Sequence, residues 1–306
     1  MPVEIAGDLE SMMPGRLLVS ENYILWTDPF HSDKYIHILN KETGEEIGQM
    51  LSVGNGPDEL ITPNASVYPD DKIVAFDFNA NKRFSLSIDS ALQQTNYILQ
   101  KQTGNYKTTT SMIALAENEY ISLVPSEKEP FLYLNEGTGD SYSFGSFPVE
   151  EAVNNSSGVF QGSLAWSPTK NCLVYSIFRF PYMAVYKRNM DKFEIAHTYM
   201  PNTDYQIVEG DFRYNNSEGG IQELAITSEY ILTIQRDRKF DQTDDQTVGR
   251  DFNKLPHTVF LYNYELQLVK IIDLGMPLLR LAADPLSNTV YAIGINPDFV
   301  LVKFEI

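Results

Sequence analysis

Residues 54–60 read Gly-Asn-Gly-Pro-Asp-Glu-Leu; Pro63 follows, then Ile73-Val74-Ala75-Phe76-Asp77 and Asn81-Lys82-Arg83-Phe84. Glycines and prolines, a short apolar run, a turn and a second run follow in fixed order. A degraded copy of this layout recurs along the chain at roughly 40–50 residues, the period of propeller blades. No sustained i, i+3, i+4, i+7 apolar pattern is present. With 18 Tyr, 17 Phe and many β-branched residues in the runs, the chemistry is that of strands.

Working outward, six units are legible. The first runs from Arg16 to Met50. The second contains the quoted stretch, with its fourth strand expected at Thr95 to Gln100. The sixth shows three strands and ends at Ile306. The segment Val3 to Leu9 has no partner in its own unit, so it is expected to supply the missing outer strand of the last blade and remove two open sheet edges. The reading is all-β: a six-bladed β-propeller of four-stranded antiparallel blades, closed by the N-terminal strand, as one domain over residues 1–306.

The connections are uneven. Those between first and second strands (Pro69 to Lys72, Glu117 to Glu119, Pro168 to Asn171, Pro285 to Asn288) and between third and fourth (Lys41 to Gly44, Asn135 to Asp140, Asn189 to Lys192) are tight. A propeller puts both sets on one face. The longer connections, 51–64, 101–111, 145–163, 200–221 and Arg236 to His257, fall on the other, where a rigid scaffold carries its binding surfaces. The last of these is polar and is expected to act as a flap.

In the quoted stretch, Gly54 and Gly56 are expected to turn with positive φ. Pro57 and Pro63 stiffen the crossing, Glu59 accepts from loop amides, and Arg83 pairs with Asp77 across the hairpin. These residues resemble the NHL repeat and, more closely, the Gly-x-Gly-Pro-x-Glu variant of bacterial TolB-like six-bladed propellers. The resemblance is specific over about thirty residues and elsewhere is a blade pattern only. It implies a binding or scaffold module, often a lipoprotein, outside the cytoplasm. That location assumes a signal trimmed ahead of Met1; Met1 as the true start would put the chain in the cytoplasm.

The net charge of −18 repels phosphate backbones and anionic membranes, so nucleic acid is not an expected partner. No apolar run approaches the roughly 18 residues that span a bilayer. Cys172 stands alone in Cys-Leu-Val-Tyr and reads as a buried small hydrophobe. His31, His37, His197 and His257 lack zinc-ligand spacing, and Gly-x-Ser-x-Gly is absent. No cofactor is expected. The alternative is a calcium-dependent lactonase-, esterase- or lyase-like propeller, for which Glu59, Asn64 and Asn81 are the right ligand types.

One polar residue opens each innermost strand: Arg16, Asn64, Ser111, Gln161, Gln222 and Arg280. In a propeller these crowd the channel mouth on the long-loop face, where they hold either a ligand or channel water. Around them the longer loops offer Arg179, Phe180, Tyr182, Arg213, Tyr214, Arg236 and Arg238, the residue types that anchor peptides and proteins. The expected function is non-catalytic binding of a protein, peptide or glycan by a monomer through this face.

Overall fold

A computed structural model describes residues 2–7, 9–31, 33–93, 102–103, 109–201, 204–214, 218–237 and 251–306. Six blades of four antiparallel strands surround a channel, the first with a short parallel fifth strand, Glu59–Leu60. Their innermost strands are Leu17–Val19, Asn64–Tyr68, Ser111–Ala116, Gly162–Ser167, Glu218–Ile226 and Leu278–Ala283. Each touches the next, and the last touches the first, so the ring is closed. The strand Val3–Ala6 pairs antiparallel with Phe299–Glu305 as the outer strand of the sixth blade, which is the closure read from the sequence.

The period-two alternation of the strands explains the packing. In the first blade Leu17 and Val19 face the sixth blade, while Leu18 faces the second. Every seam between neighbouring blades holds its own apolar cluster. A strand sandwiched between two seams is apolar on both faces, as in Cys172–Ile177, which is buried throughout. Cys172 lies in one such seam, and burial pushes its thiol pKa up to about 12, so it packs as a small hydrophobe.

Polar contacts between blades pin the short-turn face. Asn22 donates to Asp71, Lys41 pairs with Asp284 at 2.9 Å and Lys72 with Glu117 at 3.1 Å. Among these turns Asp70, Asp71, Asn118 and Asn171 take positive φ, which Asn and Asp tolerate better than most residues.

Four expectations need correction. Arg83 does not pair with Asp77. The Asp77 carboxylate instead accepts the amides of Ile61, Thr62, Asn79 and Ala80. Arg83 reaches the third blade, where it forks onto Glu136 at 2.8 and 2.6 Å above the Tyr120 ring. Gly54 has positive φ but Gly56 does not; at Gly56 a Cβ would lie 2.9 Å from the Glu59 carboxylate, which accepts the Gly56 amide.

In the second blade the strand paired with Lys82–Ser87 is Gln102–Thr103, and residues 95–100 lie outside those described. The helix Ile88–Leu92 starts that connection, so one long crossing sits on the short-turn face. Ile88 and Ala91 bury into the first seam, against Met50 and Leu86. Finally, two long inter-blade stretches are built rather than loose. Residues 145–163 contain the helix Ser156–Phe160, and 200–221 contain the hairpin Tyr205–Val208 with Asp211–Tyr214.

Candidate functional site: the channel mouth

All six residues read as opening the innermost strands line one cavity of about 440 Å³, although Gln222 and Arg280 stand inside the strands Glu218–Ile226 and Leu278–Ala283 and do not open them. Thr110, Gly162, Ser163, Phe178 and Glu223 complete it. The volume falls within the usual range for small-ligand pockets. Backbone demands place several of these groups. A Cβ on Gly162 would lie within 1.7 Å of the Ser176 carbonyl oxygen, so this strand start requires glycine. Gln161 ends the helix Ser156–Phe160, and its carbonyl accepts the Phe178 amide.

The charges are unequal. Arg280 donates Nε to the Gly15 carbonyl at 2.6 Å and Nη1 to Glu223 at 3.2 Å. Arg16 donates Nη1 to the Asn64 side chain at 3.0 Å and to the Ala65 carbonyl at 3.4 Å. No carboxylate among the described residues touches Arg16. Burial lowers its pKa, and the more distant Glu223 only partly offsets that. Burial likewise raises the Glu223 carboxyl against the pull of Arg280 and Arg16. Gln222 Oε1 is buried in the same wall with no donor among the described residues. Among the described residues the arrangement is a polar receptacle with one cation short of a counter-charge.

Glu223 was not legible as a site residue. Strict alternation would turn it away from a channel-facing Gln222. A register shift between Ile221 and Glu223 breaks the alternation, as bulges do at sheet ends. The residue after Gln222 being acidic was the signal available.

The rim is less as expected. Arg179 and Arg213 are exposed. Tyr182 and Tyr214 are 3% and 9% exposed, so neither offers its ring to a ligand. Both pack with Phe180, Phe212 and Phe160 in the seam of the third and fourth blades. The hairpin and the short helix carry that seam outward. Arg236 stands on the strand Ile231–Asp237; its side chain, and residues 238–250 with Arg238, lie outside those described. The far end of that stretch is docked, with Leu255 buried and Phe252 against Phe299.

Among the described residues, the ligand types named for calcium do not converge. Glu59 is taken by the Gly56 amide and Asn64 by Arg16, and neither Glu59 nor Asn81 lines the cavity. Among the described residues, no helix is long and apolar enough to cross a membrane.

No family model matches this sequence, and no curated protein matches it. Solved structures do. A member of the DUF4221 family from Bacteroides vulgatus superposes with a TM-score of 0.65 at 11% identity, over 99% of this chain and 95% of that one. A protein assigned as exported, from Bacteroides fragilis, gives 0.64 at 12%, over 99% and 93%. Hydrazine synthase from Kuenenia stuttgartiensis gives 0.54 at 9%, over 98% of each. At such identities the likeness is one of fold alone.

Proposed function

We propose that this propeller is a non-catalytic binding module that takes the polar end of a peptide or protein ligand into its channel mouth. The observation that carries the reading is convergence: six polar side chains, one from each blade, meet in one pocket. A fold needs no such ring, since apolar seams already close it. A glycan is the weaker reading, because Tyr182 and Tyr214 are packed away and Phe178 is the one aromatic among the lining residues. Kinship with TolB-like propellers and a place outside the cytoplasm belong to the same proposal. The quoted motif supports the first, and the exported Bacteroides fragilis neighbour the second.

The test is a short-peptide library with free ends, panned on the wild type and on a Gln161→Leu/Gln222→Leu variant. Enrichment by the wild type that falls at least about tenfold in the variant, about 1.4 kcal/mol of binding, is expected. Equal enrichment on both proteins contradicts the site.

A further inference from the structure

We infer that the channel mouth is a receptor for a carboxylate, gripped by the free Nε–Nη2 edge of Arg16, and that this carboxylate is the C-terminus of a peptide. The inference rests on the binding-module reading above and names the group that the pocket takes.

Three observations carry it. First, the pocket's charged lining is two guanidinium groups and one carboxylate, Arg16, Arg280 and Glu223. Among the described residues one positive charge is left without a counter-charge in a half-buried wall, which is costly until an anion arrives. Second, the donors of Arg16 are divided. Nη1 is spent on Asn64 and Ala65, while Nε and Nη2 have no protein partner among the described residues. That free edge is the planar two-donor fork that matches a carboxylate. Arg280 is committed through Nε and Nη1 to Gly15, Leu279 and Glu223, so Arg16 is the acceptor-seeking member of the pair. Third, Gln222 Oε1 is a buried acceptor lacking a donor. The last residue of a peptide brings an N–H beside its carboxylate and so answers both needs. Burial that depresses the Arg16 pKa agrees, since it registers a desolvated cation whose nearest carboxylate is already engaged.

The position within an acidic molecule adds selectivity. A chain of net charge −18 repels anions at long range, so an incoming carboxylate must find its attraction locally, as at Arg16.

The experiment follows the arginine Nε–H resonances of the intact 15N-labelled protein during titration with acetyl-Gly-Gly, acetyl-Gly-Gly-amide and glucuronate. Saturable movement of one Nε–H resonance with the acid is expected, at an affinity about tenfold or more above that of the amide. Arg16→Gln should abolish it in a protein that still unfolds in one cooperative transition. Arg16→Lys, which keeps the charge and loses the fork, should fold and bind the acid about tenfold more weakly; it stands in if the glutamine variant does not fold. Equal binding of acid and amide, or full acid binding by both Arg16 variants, overturns the inference while leaving the site reading, which fails separately if Gln161→Leu/Gln222→Leu keeps its peptides. Movement with glucuronate alone keeps the carboxylate and overturns the peptide. No movement with any of the three overturns both parts.

Discussion

Glu136→Ala is expected to lower stability by about 3–5 kcal/mol, the cost of stranding a buried charge. Its partner Arg83 is 2% exposed, the largest cation buried between blades, and Glu136 holds it by two hydrogen bonds. Removing the acid leaves a guanidinium that cannot reach water over a Tyr120 ring at 4.4 Å. The ring's attraction, about 0.5–2 kcal/mol, does not replace a carboxylate. Arg83→Met should cost less than Glu136→Ala. Its side chain fills most of the space, and the Glu136 left behind is 24% exposed and can hydrate. The double variant should recover most of the loss. Urea midpoints at unchanged slope measure all three. A Glu136→Ala midpoint equal to wild type would show that Arg83 finds another counter-ion, and that the clamp between the second and third blades is not structural.

Deleting residues 2–9 is expected to have the second large effect, on stability and on association together. The strand Val3–Ala6 covers the outer edge of Phe299–Glu305, and the Leu9 amide donates to the Phe299 carbonyl at 2.9 Å. Leu9 is buried with Trp26, Leu279 and Leu301 in the closing seam. Losing that side chain alone costs about 2 kcal/mol, and each ladder hydrogen bond about 1 kcal/mol more. The freed edge is then a template for pairing with another copy. Light scattering should find dimers or larger species, and the melting temperature should fall. A synthetic peptide of residues 2–12 added in trans should restore both. A truncated protein that stays monomeric with its original melting temperature would contradict closure by this strand.

The ring was legible because its signal is repeated. Six units of alternating apolar residues, each flanked by turn chemistry, over-determine a propeller, and the leftover strand at one end had a single unpaired edge to go to. The mouth residues were legible for the same reason, since position in the repeat places them whatever their chemistry. Residues inside single insertions were not. Tyr214 read as a rim anchor because a stretch as long as 200–221 looks like a loop. Yet Tyr205 and Ile207 alternate against Phe212 and Tyr214 about a Glu209-Gly210 turn, in which both residues take positive φ. That is hairpin patterning, and it commits the Tyr214 ring to a core. The Arg83–Glu136 clamp was hidden because its partners are 53 residues apart, in different blades. The nearer acid, Asp77, is consumed by four backbone amides, a demand set by turns that no pairing rule reads from residue types.

The most direct test of the account is hydrogen–deuterium exchange with and without the tightest peptide recovered from the library. Binding at the mouth predicts that protection concentrates in residues 110–111, 161–163 and 222–223, which line the cavity from three different blades. Residues 41–44 and 189–192, on the opposite face, should be unchanged. Protection confined to those short turns, with the cavity segments exchanging as in the free protein, would contradict it.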